Sequence, residues 1–184
     1  MGILKSTAIG SFLLVLAGCV SNTGGDTAQL SSYYTPNVVR YAARDGVMLV
    51  TAHGDFGIPL KQANREIANN LSMPGWFAPT EFIAASPSAA PDEHRVVFIV
   101  NPMTLTVSGR HACAATKPLK TKPIAETVRI VGAFCAGRKV ISEVTVSGAG
   151  GFPGDLKFRP DFREHLDNIV GSLMPSTIIF VPSG

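Results

Sequence analysis

The chain has 184 residues, of which 46% are hydrophobic, with a mean hydropathy of +0.25. That is enough apolar material for one compact domain and too little for two comfortable ones. The net charge of +3 rests on only 16% charged residues, and the basic ones are spread along the chain rather than gathered in a block. This falls far short of a nucleic-acid footprint and leaves a mild bias toward anionic lipid or polysaccharide surfaces.

Residues 1–18 fall into three parts. A short start carries one cation, Lys5; an almost wholly apolar run follows from Ile9 to Ala17; small Gly18 closes it. This is the layout of a secretory signal peptide. A membrane-spanning helix needs about 20 consecutive apolar residues, and here polar Ser21, Asn22 and Thr23 end the run at roughly half that, so the segment is too short to remain as a span.

At the end of the run, Leu16-Ala17-Gly18-Cys19 places a branched apolar residue and two small ones before a cysteine. The motif resembles the lipobox of bacterial lipoproteins. The resemblance covers only about the first 19 residues and implies that Cys19 receives a diacylglyceryl group, that the leader is removed, and that the new amino terminus is acylated. One acyl chain anchors only marginally, but two or three on one residue hold firmly, since each buried methylene contributes about 0.8 kcal/mol. Within that class an aspartate after the cysteine directs retention in the inner membrane. Here Val20 follows, which implies an outer-membrane address facing the periplasm.

Residues 21–35 are dominated by Ser, Thr, Gly, Asn and Asp, as in a flexible tether. The expected organisation is a cleaved leader at 1–18, a lipidated start and tether at 19–35, and a single domain at 36–184. In that domain 37–43 and 47–53 are β-rich runs around Asp45-Gly46, a strong hairpin signal, so the two are expected to pair antiparallel. Leu60, Ala63, Ile67 and Leu71 then fall on one helical face. A long irregular stretch follows, with Trp76-Phe77 expected to plug the core edge. Residues 94–101 are nearly all apolar, as in a central strand covered on both faces.

Residues 127–136 and 138–147 read as another hairpin, and the glycine-rich segment 148–154 as a break. Pro153 and the absence of a Gly-Lys-Ser/Thr sequence argue against a phosphate loop there. Phe162, Leu166, Ile169, Val170 and Leu173 repeat at helical spacing with Asp161 placed to cap the start, and 177–181 reads as a last strand. The fold class expected is α+β, a mainly antiparallel sheet of about six strands with two helices packed on one face.

With Cys19 consumed by lipid, Cys113 and Cys135 remain, an even number in a compartment that permits disulfides. A bridge between them is the leading reading, and two free buried thiols or a metal or nucleophilic site are its rivals. No Cys-x-x-Cys spacing occurs, and His53, His94, His111 and His165 are widely separated, so no metal site and no cofactor is expected.

His53 and Asp55 lie two apart at a strand end, where such a pair can orient a general base; turn residues with Asp55 capping the coming helix are the plainer alternative. Arg110, His111, Lys117, Lys120 and Lys122 form the one local basic cluster, with prolines that favour an extended chain. Headgroups, an anionic envelope polymer or an acidic envelope protein are its expected partners, with a simply solvated loop as the alternative. No aromatics interleave with these cations, so no nucleic-acid platform is expected. Two functional readings follow: a non-catalytic binding or structural module of the cell envelope, and a periplasmic hydrolase using His53 and Asp55.

Overall fold

The computed structural model describes residues 28–86, 93–123, 127–149 and 160–177. Cys19 and the segment expected as its leader, residues 150–154 of the glycine-rich segment and all but Thr177 of the strand expected at 177–181 lie outside them, as does the Asp161 side chain.

The chain enters through a two-residue strand, β1 (Gln29–Leu30), so part of the segment expected as tether is built into the body. β1 pairs antiparallel with residues of the β6 strand (Lys139–Ala149), and Tyr34 is 2% exposed. Residues 37–43, expected as a strand, instead lie in helix α1 (Pro36–Ala42) and its cap Ala43. Thr35 has extended backbone and its side chain accepts from the Val38 N–H; Pro36 fits the first turn, where no donor is needed. Val39 and Ala43, four apart, go into the core. The Asp45-Gly46 turn is present, with Gly46 at φ 73, but it joins a helix to β2 (Val47–His53) rather than two strands.

Helix α2 (Leu60–Asn70) buries Ala63, Asn64, Ile67 and Ala68, as its spacing required. Beyond it, β3 (Glu81–Ala84) arises in the stretch expected to be irregular. It lies parallel to β2 with Met48 opposite Phe82, and only Phe82 of its four residues is fully buried. Trp76 and Phe77 pack against the core between α2 and β3, as expected.

β4 (His94–Val100) sits mid-sheet, parallel to β2 on one side and antiparallel to β5 (Thr127–Ala136) on the other. β5 and β6 (Lys139–Ala149) form the anticipated hairpin, with Gly137 at φ 61 in the turn. The sheet order is β1-β6-β5-β4-β2-β3. Three of its pairings are antiparallel, and two, β2 with β3 and β2 with β4, are parallel, so the sheet is mixed. With α1 in place of a hairpin strand, β2 takes both partners from later in the chain, reached through crossovers, and such connections leave strands parallel.

The two-helix expectation is corrected as well. α1, α2 and α4 (Pro160–Leu173) pack on one face of the sheet, where Val39, Ile67 and Leu166 meet Val50, Phe98 and Phe134. A short fourth helix, α3 (Gly109–Ala114), covers the other face, where Ala112 and Cys113 meet Val97, Ile99, Val131 and Ala133. Gly132 lets α4 approach β5: a Cβ there would lie 2.5 Å from a methyl of Ile169. Three side chains hold the end of α4 by its carbonyls, Ser142 on Leu173, Trp76 on Met174 and Tyr34 on Pro175.

Asn64 shows how α2 is fixed to the sheet. β3 pairs with β2 only as far as Val50, and beyond that Asn64 takes the place of a neighbouring strand. Its side chain accepts from the Ala52 N–H and donates to the Ala52 carbonyl at 3.0 Å. Asn64→Ala strands both buried groups, so it is expected to lower stability by about 2 to 3 kcal/mol, read from urea midpoints.

Candidate functional site

The residues singled out from the sequence converge on the α3 face of the sheet. Side chains alternate along β2 and β4, so Thr51, His53, Arg95, Val97 and Ile99 point away from the three-helix face. The chain leaves β4 at Val100 and crosses this second face as a strap, residues 101–123, before returning in β5.

Asn101 anchors both ends of the strap. It has φ 49, a conformation asparagine tolerates better than most residues. Its N–H donates to the Arg129 carbonyl at 2.7 Å and its side-chain oxygen accepts from the Arg129 N–H at 2.9 Å. Its side-chain amide donates to the Pro123 carbonyl at 3.1 Å, and its own carbonyl accepts from the Lys122 N–H at 2.7 Å. Pro102 bridges Thr121, and the Met103 N–H donates to the Lys120 carbonyl at 3.3 Å. The result is a narrow antiparallel ribbon that ends at the Met103–Lys120 pair, beyond which residues 104–107 turn toward α3.

Midway along the strap, Cys113 is bonded to Cys135 of β5, and both are fully buried. Two further contacts hold α3 in place. The Gly109 N–H donates to the Glu143 carboxylate at 2.7 Å, and the buried Arg95 guanidinium donates to the Cys113 carbonyl at 2.7 Å. Burial lowers the Arg95 pKa, partly offset by the charge of Glu93.

The structure does not join His53 and Asp55 by a hydrogen bond. His53 is 1% exposed, and its Nδ1 accepts from the Leu119 N–H at 3.2 Å, so it fastens the strap. A ring accepting there is neutral with its proton on Nε2. Burial, with a smaller push from the Arg95 charge, lowers its pKa to about 4. Asp55 is exposed, and its carboxylate accepts from the Gly57 N–H at 3.3 Å within its own turn. Asp55 is thus a turn residue but not the expected helix cap, since α2 begins after Pro59 without a side-chain cap, and it gives no orienting carboxylate to a general base.

Lys117, Lys120 and Lys122 are exposed along the returning arm, and Arg110 and His111 are exposed on α3. Among the described residues, none of these lysines enters an ion pair. Beside them lie two exposed apolar side chains that sequence reasoning missed, Met103 at 48% and Leu105 at 82%. The available signal was the alternation Met103-Thr104-Leu105-Thr106-Val107, of which only Val107 packs against the core.

A cleft of about 370 Å³ lies at the far end of β2 and β4, lined by Tyr41, Arg44, Asp45, Glu93 and His94 among others. It is remote in register from His53, which pairs with Ile99 at the opposite strand ends. Burial and the charge of Arg44 lower the His94 pKa. Among the described residues, no group of three or more His, Cys, Asp or Glu side chains is placed to hold a metal ion. No protein-family model, curated protein or solved structure matches the chain.

Proposed function

We propose that this chain is a lipid-anchored protein of the bacterial cell envelope, held at the outer membrane facing the periplasm, whose folded domain is a non-catalytic binding module. The observation that carries the proposal is the leader ending in Leu16-Ala17-Gly18-Cys19. The buried Cys113–Cys135 bond supports it, because disulfides persist in oxidising compartments such as the periplasm and are rare in the cytosol. The binding surface in this reading is the strap with Lys117, Lys120 and Lys122. It offers exposed cations on a backbone fixed at Asn101, Cys113 and Leu119, so little conformational entropy is lost on contact.

The test is the intact mass of the mature protein isolated from its envelope. The expected species begins at Cys19 and carries two or three acyl chains. Cys19→Ser should leave the leader uncut and the acyl chains absent. A wild-type chain with an unmodified Cys19, or with the leader still attached, would overturn the anchor.

A further inference from the structure

We propose that the tip of the strap docks on anionic phospholipid, with Met103 and Leu105 entering the headgroup layer while Lys117, Lys120 and Lys122 engage lipid phosphates. This deepens the reading above and rests on it, because it is the lipid on Cys19 that holds the domain beside such a surface.

Three observations lead to it. Leu105 is the most exposed large apolar side chain of the described residues, and Met103 lies beside it on the same arm. The backbone pairing of Met103 with Lys120 sets the apolar arm against a lysine-bearing one, so Met103, Lys120 and Lys122 share one ribbon, with Leu105 two residues beyond its last pair. Apolar side chains that enter the interface, flanked by lysines that attract anionic headgroups, are the two ingredients of binding at a membrane surface. Among the described residues, exposed Asp55 borders the ribbon through its backbone bridge to Pro123, and Glu143 is occupied by the Gly109 N–H.

Covalent reach supplies the third argument. Only about nine peptide links separate Cys19 from Ala28, so Ala28 stands at most roughly 30 Å from the anchored residue. A body of this size is roughly 40 Å across. It therefore stays within one diameter of the bilayer, where a weak docking face acts at high effective concentration.

The experiment uses the lipidated protein reconstituted in vesicles, with photoreactive benzoylphenylalanine in place of Leu105 or, as a control, of exposed Asn69 on α2. Vesicles are either phosphatidylcholine alone or phosphatidylcholine with one-third phosphatidylglycerol. Phospholipid adducts should form at position 105, should be at least about tenfold fewer at position 69, and should need phosphatidylglycerol. Neutralising all three lysines (K117Q/K120Q/K122Q) should cut the adducts at least about tenfold, as each cation near an anionic surface contributes roughly a factor of five. The urea midpoint and the intact disulfide of each variant confirm that it folds.

Equal adducts at 69 and 105, no dependence on phosphatidylglycerol, or no effect of the lysine changes would each overturn the docking. So would protein or polysaccharide adducts replacing lipid ones at 105 in isolated envelopes. The mass of the amino terminus in the same sample separates this from failure of the anchor. If Cys19 is unmodified, co-sedimentation of that chain with the two vesicle types decides docking on its own.

Discussion

Replacing Cys113 and Cys135 together with alanine should destabilise the domain by about 3 to 5 kcal/mol and loosen the strap selectively. The bridge spans 22 positions, and closing a loop of that length in the unfolded chain is worth roughly 3 kcal/mol, with lost packing adding to it. Both sulfurs are fully buried in the small cluster formed with Val97, Ile99, Val131 and Ala133, so the double variant also opens space under α3. Urea unfolding gives the total. Amide hydrogen exchange gives the location: the Leu119 and Met103 amides should lose protection, while those pairing β5 with β6 keep theirs. Uniform loss across the sheet would mean that the bridge supports the whole body rather than the strap.

His53 should make the domain acid-sensitive. Its pKa is about 4 in the folded protein against an ordinary 6.5, so the unfolded chain holds the extra proton between those values. Stability is therefore full above about pH 6.5, falls as the pH drops toward about 4, and changes no further below that on account of this residue. The difference amounts to about 3 kcal/mol. His53→Asn keeps an acceptor near the position of Nδ1 for the Leu119 N–H but cannot take up a proton. The variant should thus show a flatter profile of urea midpoint against pH, shallower by about 3 kcal/mol over that window. An unchanged slope would assign the acid loss elsewhere, first to His94, whose pKa is shifted in the same direction.

Where one element's own pattern determined its neighbours, the sequence was legible. The α2 stripe, the buried β4 run and the β5–β6 hairpin each follow from local spacing. So did the cysteine pair, because once Cys19 is read as the lipid-bearing residue only two cysteines remain to pair. Residues 37–43 misled because Val38, Val39 and Tyr41 have high β propensity, yet the Thr35 cap and Pro36 in the first turn decide for helix. β3 was illegible because four residues carry little periodicity, and its existence depends on the open edge of β2. The candidate site was only partly readable. Its lysines stand out as letters, but the ribbon that pairs them with Met103 depends on an asparagine with positive φ and on long-range backbone bonds.

The hold on the end of α4 bears on when the body can form. Tyr34 reaches Pro175, and β1 finds its partner only in β6, so these two contacts of the first described residues form only once most of the chain is present. β5 likewise lacks the cover of Ile169 and Leu173 beneath Gly132 until then. A chain delivered amino end first across a membrane would therefore stay open to threading throughout transit, and would close its core only after its final helix had emerged.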